Sequence, residues 1–265
     1  MRCVIDTAKG PDRSEPVSGF DSIAHRYDEW YESPVHQSID AIEKAAIKET
    51  MPTAPRRGLL LDVGCGTGHW LLFFKMAGYR VVGLDLSPRM LGVAKSKFPS
   101  GIQLVRADAH RLPFEDHSFD IVCCITTLEF VTDHMRTLRE MCRCLKTRGR
   151  LIVAALNAFS FLGIKRKLLR SHTFRDAHFF TTWELKRHLA EFGKPLVRTC
   201  AFSPPCTLLL PLSACFEKIG NTLFPAFGQL IVASLEKPES GPRGESRAPA
   251  RSLSGIAVDM NDQVL

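Results

Sequence analysis

Short apolar runs alternate along this chain with segments in which apolar residues recur every three or four positions. The runs predict strands near residues 58–63, 80–85, 102–106, 119–125, 149–155, 195–201 and 228–236. The segments between them predict helices at about 20–32, 36–50, 67–77, 88–97, 132–145 and 182–192. Strands that alternate with helices are typical of a parallel sheet covered by helices on both faces. We therefore expect a doubly wound, Rossmann-like α/β fold.

The two ends of the chain differ in composition from its body. Residues 238–265 are rich in Pro, Gly, Ser, Arg and Ala, which cannot assemble a core, so we expect a disordered tail there. Residues 1–19 are expected to be flexible and lack the apolar stretch of a secretory signal. No run of 18 apolar residues exists, so no transmembrane helix is expected. One domain over residues 20–237 remains.

A glycine-rich turn follows the first predicted strand. It reads D-x-G-x-G-x-G from Asp62 to Gly68, and a helix is predicted directly after it. A strand, a glycine turn and a helix N-terminus form a nucleotide-binding platform at the carboxyl end of a parallel strand. The dinucleotide fingerprint G-x-G-x-x-G would place its third glycine at position 69, where His69 stands. The spacing therefore argues against the usual dinucleotide site.

Carboxylates close the first three predicted strands. Asp85 lies 23 residues after Asp62, and Asp108 lies a further 23 residues on. An acidic residue at the end of the second strand is placed to accept hydrogen bonds from ribose hydroxyls. Asp62 could bind a positively charged amine. The sequence therefore predicts a nucleotide-type site lined by carboxylates at three strand ends.

These residues together resemble the motifs of the class I S-adenosylmethionine-dependent methyltransferases, in particular their small-molecule, methyltransferase type 11-like group. The resemblance covers about residues 20–237. It implies a seven-stranded, mostly parallel sheet with one antiparallel strand near the C-terminus, and S-adenosylmethionine as cofactor. The cofactor-binding residues that it implies are Asp62, Gly64, Cys65, Gly66, Gly68, Asp85, Leu86, Asp108, Ala109 and Thr126. In the family, a turn with proline and paired glycines precedes the fifth strand, and Thr147-Arg148-Gly149 replaces it here.

The resemblance leaves the acceptor and the catalytic base open. Transfer of a sulfonium methyl is in line, so the protein mainly supplies proximity and orientation. A base is needed only when the nucleophile carries a proton that must leave. Candidate bases, none of them favoured, are Tyr27, His25, His172 and His178. His69 could contact the carboxylate of the cofactor, and Thr126 and Thr127 are expected beside the reacting methyl.

The net charge of +7 is concentrated in the body of the chain. A basic patch formed by Lys165, Arg166, Lys167 and Arg170 is either a landing site for an acidic substrate, a phosphate or an anionic membrane, or a solvated helix face. The apolar segment 202–216, which prolines interrupt, is expected to form a substrate lid, with an interfacial helix as the alternative. Nine scattered cysteines are typical of reduced thiols, so we expect a cytoplasmic protein.

Several classes of methyltransferase are disfavoured by Thr126-Thr127-Leu128-Glu129. Enzymes that act on the amino groups of nucleic-acid bases have an Asn/Asp-Pro-Pro-aromatic tetrapeptide there, so no nucleic-acid partner is expected. The acidic ligands of the metal-dependent enzymes are missing as well, so no metal is expected. The sequence thus predicts transfer to an O, N or C atom of a small, partly apolar acceptor. A protein-modifying enzyme and a non-catalytic cofactor-binding module stay open, and so does the oligomeric state.

Overall fold

The computed structural model describes residues 15–52, 58–169, 174, 176–202 and 207–239. The predicted C-terminal tail from residue 240, most of the predicted flexible N-terminus and His172 lie outside them. Seven strands form one sheet: β1 Leu59–Val63, β2 Arg80–Asp85, β3 Gln103–Arg106, β4 Phe119–Ile125, β5 Leu145–Leu156, β6 Leu196–Cys200 and β7 Leu230–Glu236. The helices are α1 Glu15–Ile23, α2 Pro34–Thr50, α3 His69–Met76, α4 Pro88–Lys97, α5 His134–Cys144, α6 Phe161–Leu169, α7 Thr182–Leu189 and α8 Ser213–Leu223.

The strand order is β3-β2-β1-β4-β5-β7-β6. β7 is antiparallel to both of its neighbours, and the other strands run parallel to one another. This confirms the predicted sheet with one antiparallel strand near the C-terminus. β1 pairs with β2 on one side and with β4 on the other. The order in which strands are added to the sheet therefore reverses at β1. A crevice opens at this point, at the carboxyl ends of β1 and β4.

Both faces of the sheet are buried. On β1, Leu61 and Val63 belong to one apolar cluster, whereas Leu60 belongs to the cluster on the other face. The adjacent Cys123 and Cys124 of β4 divide in the same way, because successive side chains of a strand point to opposite faces. Burial on both faces explains why these strands are continuous apolar runs in the sequence. None of the described helices is both long and apolar enough to cross a bilayer.

Several elements differ from those predicted. The single helix expected over 20–32 is α1 followed by a 3-10 helix, Ala24–Glu32. The turn expected at 147–149 lies within β5, where Arg148 has a φ of 60° and the register against β4 shifts. A bulge of this kind turns the chain without ending the strand. The apolar pattern also predicts neither α6 nor α8, nor the 3-10 helix Thr207–Leu212 that precedes α8.

Candidate functional site

The glycine turn between β1 and α3 has a backbone that side chains would disturb. Gly64, Gly66 and Gly68 all have positive φ, of 78°, 54° and 86°. A Cβ on Gly64 would lie 2.1 Å from Cγ2 of Thr127, whereas a Cβ on Gly66 would meet no atom of the described residues within 4 Å. Gly64 is therefore required by packing against the residue that follows β4. Gly66 instead leaves its backbone open to a ligand.

Substitution of Gly64 separates these two roles. We expect Gly64→Ala to lower the free energy of unfolding by about 2–4 kcal/mol, since it adds both left-handed strain and a clash with Thr127. Gly66→Ala, with strain but no clash, should cost only about 1–2 kcal/mol. Urea unfolding without added cofactor measures both values. Equal losses for the two variants would show that the contact with Thr127 is not a constraint.

Asp85, at the end of β2, holds the glycine turn in place. Its Oδ2 accepts the N–H of Gly66 at 2.8 Å, and its Oδ1 accepts the N–H of Ser87 at 2.8 Å. Burial raises the pKa of this carboxyl, although its backbone hydrogen bonds oppose the shift. Each carboxylate oxygen has a further lone pair, so Asp85 can still accept hydrogen bonds from a ligand.

Asp62 is a buried carboxyl with one free oxygen. Its Oδ1 lies 3.5 Å from Sγ of Cys123, and its Oδ2 has no hydrogen-bond partner among the described residues. Burial raises the pKa of Asp62 to about 7. A buried, unsatisfied carboxylate oxygen is unfavourable. A ligand that brings a positively charged amine to Oδ2 would relieve this cost, and the methionine part of S-adenosylmethionine carries such an amine.

Asp108 lies at the same edge of the sheet but is more open. Its side chain is half-exposed, and Oδ1 accepts the backbone N–H of His110 at 2.9 Å and lies 2.7 Å from that residue's Nδ1. Leu86, after β2, and Ala109, after β3, are also partly accessible. An apolar side chain and a carboxylate at neighbouring strand ends can accommodate a planar base.

The end of β4 is strained. Thr126 has a φ of 48°, an outlier for a β-branched residue, and its N–H donates to the carbonyl of Ala154 at 2.8 Å. The Oγ1 of Thr127 donates to the carbonyl of Gly64 at 3.1 Å. Strained backbone persists where the surroundings over-determine it, as they commonly do at active sites. The strain lies where β4 meets the glycine turn.

The N-terminal segment closes over this edge. Asp28 accepts a hydrogen bond from Oγ1 of Thr67 at 2.7 Å, and Asp40 lies 2.7 Å from Nε2 of His69. The ring of Tyr31 stacks on the imidazole of His69 with centroids 3.7 Å apart. His69, a candidate for contact with the cofactor carboxylate, is thus engaged by two residues of the covering segment. The segment from the 3-10 helix to α2 is fastened to the glycine turn by side-chain contacts.

The candidate bases have different surroundings. Burial, followed by the charges of Asp85 and Asp28, raises the pKa of Tyr27 to about 12, so its phenol keeps its proton at neutral pH. His178 pairs with Glu184 at 2.7 Å and is nearly half-exposed. His25 is exposed. The charge of Asp85 thus acts on Tyr27.

Glu129 is not among the candidate bases predicted from the sequence, yet it lies in the short 3-10 helix that follows the end of β4. It is 1% exposed, and its Oε1 accepts the N–H of Leu156 at 2.5 Å. Its Oε2 has no partner among the described residues. Burial raises the pKa of Glu129 to about 7. The only sequence signal was an acidic residue inside an otherwise apolar stretch.

Arg166, on α6, faces the same region. Its guanidinium lies 4.6 Å above the ring of Phe174, and no described carboxylate is within ion-pair distance of it. Burial lowers its pKa, while the charges of Glu43, Glu129 and Tyr27 oppose that shift. Burial also raises the pKa of Glu43 to about 8. Arg166, one member of the predicted basic patch, therefore turns inward, and no ion-pair partner occupies its N–H donors in the part of the chain that the structure describes.

Comparison with known proteins identifies the family that the chain resembles. A family model described as a methyltransferase domain matches residues 61–153. An uncharacterised protein of Methanocaldococcus jannaschii is 31% identical over 176 residues, 66% of this chain and 80% of its own length. A demethylmenaquinone methyltransferase of Bacillus cytotoxicus is 34% identical over 158 residues, 56% of this chain and 64% of its own length.

Solved structures share the fold. A protein from Thermotoga maritima, described as an S-adenosylmethionine-dependent methyltransferase and possible histamine N-methyltransferase, superposes with a TM-score of 0.66. It is 27% identical, and the match covers 83% of this chain and 99% of that one. A methyltransferase from Haloferax volcanii, solved with the activator Trm112, superposes with a TM-score of 0.63 over 87% of this chain and 100% of its own, at 20% identity. At that identity, the second match shows the fold alone.

Proposed function

The chain belongs to the class I S-adenosylmethionine-dependent methyltransferases, and we propose that it methylates an O, N or C atom of a small, partly apolar acceptor. The observation that carries this proposal is a pair of buried carboxyls beside the crevice, Asp62 on β1 and Glu129 in the short 3-10 helix after β4. Each has one oxygen without a hydrogen-bond partner among the described residues. Asp62 suits the amine of the cofactor. Glu129, beyond β4, is placed to take a proton from the molecule that accepts the methyl group.

The first part of the proposal concerns the cofactor-binding residues. Asp62 binds the amine of the methionine part, and the open backbone at Gly66 allows the cofactor to approach closely. Asp85 accepts hydrogen bonds from the ribose hydroxyls. Asp108 and Leu86 border the adenine. The remaining predicted residues are Gly64, Cys65, Gly68, Ala109 and Thr126, which give the turn and the strand ends their shape.

The second part concerns the acceptor. When bound, S-adenosylmethionine supplies an electrophilic methyl group. Glu129 holds a carboxylate at the end of β4, where it can take the proton that an O–H or N–H nucleophile loses. Arg166, which has no ion-pair partner among the described residues, can donate N–H groups to an oxygen of the acceptor. The rings of Phe130 and Phe174, 5.9 Å apart, add apolar surface. Apolar rings beside two polar groups suit a small aromatic acceptor that carries hydroxyl or amino groups.

The relatives support a small-molecule acceptor. The Bacillus relatives are demethylmenaquinone methyltransferases, and a name of that kind describes a small molecule as the substrate. A protein-modifying enzyme remains the alternative, and a non-catalytic module on the same fold is a third reading. We also propose that the protein works in the cytoplasm, because all seven cysteines among the described residues are free thiols and six of them are buried.

Radiolabelled methyl transfer tests the proposal. The purified protein is incubated with methyl-labelled S-adenosylmethionine and a cell lysate, and label is counted in the solvent extract and in the precipitated protein. We expect label in the extract, and none above background when Asp85→Ala replaces the wild type. Label confined to protein would favour the protein-modifying alternative. Cofactor binding without label in either fraction would favour the non-catalytic module.

A further inference from the structure

Helix α8 turns its apolar side to solvent. Leu212, Ile219 and Leu223 lie on one face at helical spacing and are 50%, 49% and 66% exposed. On the opposite side, the carboxylate of Glu217 accepts the N–H groups of Ala201 and Phe202. A surface helix of a globular protein normally places its charged residues outward and its apolar residues inward. This helix instead exposes several apolar residues and turns Glu217 inward, so its exposed side is a candidate interaction surface.

The exposed apolar surface continues onto α6. Phe224 and Phe227, after α8, are 54% and 55% exposed, and Phe161 and Ile164, on α6, are 69% and 49% exposed. The Nδ2 of Asn157 donates to the carbonyls of Ala226 at 2.7 Å and Gly228 at 2.8 Å, which brings the two segments together. We define the apolar face by Phe161, Ile164, Ile219, Leu223, Phe224 and Phe227. Exposed apolar residues on segments that meet in this way mark a candidate protein or membrane interaction site.

The charges around the apolar face are positive. Lys165 on α6 and Lys218 on α8 are both exposed, whereas Glu217 is turned inward. In the sequence, residues 157–175 contain five Lys and Arg and no Asp or Glu. Two copies of this chain meeting through the apolar face would bring like charges together. Apolar side chains beside lysines instead complement an anionic lipid surface.

We propose that the apolar face docks the protein on an anionic lipid bilayer, with α6 and α8 lying at the interface. The aromatic and aliphatic side chains enter the boundary between headgroups and acyl chains, and the lysines remain among the headgroups. On α6, Ile164 and Lys165 point outward while Arg166 points toward Glu129. The docked helix is therefore also a wall of the proposed acceptor site. Docking itself does not depend on methyl transfer.

Vesicle sedimentation tests this proposal. The full chain is mixed with vesicles of phosphatidylcholine and phosphatidylglycerol, or of phosphatidylcholine alone. We expect binding to the anionic vesicles that weakens with added salt, and much weaker binding to the neutral ones. Leu223→Asp should reduce binding to the anionic vesicles by at least about tenfold, and Lys165→Ala by about fivefold. Met76→Asp is the matched control, because Met76 is 80% exposed on α3, outside the apolar face.

The outcomes separate docking from its alternatives. Circular dichroism confirms that each variant is folded. Wild-type protein that stays in the supernatant with anionic vesicles would overturn the proposal, and so would Leu223→Asp that binds as well as the wild type. If the wild type does not bind vesicles but forms a dimer, and the Leu223→Asp variant is monomeric, the apolar face is a contact between two copies. That result overturns the proposal as well.

Discussion

Asp85→Ala is expected to reduce the affinity for S-adenosylmethionine by at least about a hundredfold. The substitution removes the two proposed acceptors for ribose hydroxyls, and a hydrogen bond to a charged group is worth about 1.5–3 kcal/mol. It also leaves the N–H groups of Gly66 and Ser87 without their acceptor, so the glycine turn loses its anchor. Two such hydrogen bonds correspond to about 3–6 kcal/mol, and each 1.4 kcal/mol is about tenfold in affinity. Isothermal titration calorimetry measures the loss.

Asp120→Ala is the matched control for this experiment. Asp120 also accepts a backbone N–H, that of Leu59 at 2.8 Å, but it lies at the start of β4 and not at its end. We expect Asp120→Ala to lower stability while leaving cofactor affinity within about twofold of the wild type, because surface changes far from a site act independently of it. A folded Asp85→Ala protein with unchanged affinity would show that the ribose is not bound here.

Glu129→Gln is expected to reduce kcat about a hundredfold or more while cofactor affinity stays unchanged. A positioned general base contributes about 10²–10⁴ in rate, and the amide keeps the shape of the side chain without accepting a proton. The assay uses the acceptor identified by radiolabelled transfer. Equal kcat values for Glu129→Gln and the wild type would remove Glu129 from the reaction.

The pH profile adds an independent readout. Glu129 acts as a proton acceptor only when ionised, and its pKa is raised to about 7. The wild-type rate should therefore increase as the pH rises through about 7, and this limb should vanish in Glu129→Gln.

The free energy of unfolding should change with pH in the direction opposite to the rate. The unfolded chain releases the Glu129 proton near its ordinary pKa of 4.5, whereas the folded chain keeps it to about pH 7. Between these values the unfolded state binds fewer protons, so the free energy of unfolding falls as the pH rises. When urea unfolding is measured at several pH values in this range, the Glu129→Gln variant should not show this part of the decrease in unfolding free energy.

The sequence predicts how the residues of the proposed cofactor site come together, and the reason is physical. The turn from Asp62 to Gly68 is a single contiguous segment, and its glycines are forced by backbone geometry. Asp85 and Asp108 each close an apolar run that is buried as a strand. Parallel strands then bring these carboxyl ends to one edge without further information.

The acceptor side could not be predicted in the same way. Glu43, Glu129 and Arg166 come from α2, from the segment after β4 and from α6, and no local spacing relates them. Their proximity depends on how the helices pack over the sheet. The contacts between the covering segment and the glycine turn, such as that of Asp40 with His69, are equally non-local.

Helix α8 illustrates a different limit. The apolar segment 202–216 predicts either a lid or an interfacial helix, but the described helix begins at Ser213 and continues to Leu223. Periodicity identifies the apolar side of a helix without showing whether that side meets the core or solvent. Here the inward-facing Glu217, which bonds two backbone N–H groups, decides the orientation. No sequence rule would have assigned that role to it.

A crystal structure of the protein with S-adenosylhomocysteine tests the central claim most directly. We expect the amine at Oδ2 of Asp62, the ribose hydroxyls at Asp85, and the sulfur facing the end of β4, on the side of Glu129. A ligand that lies elsewhere, or one whose sulfur faces away from Glu129, would contradict the account.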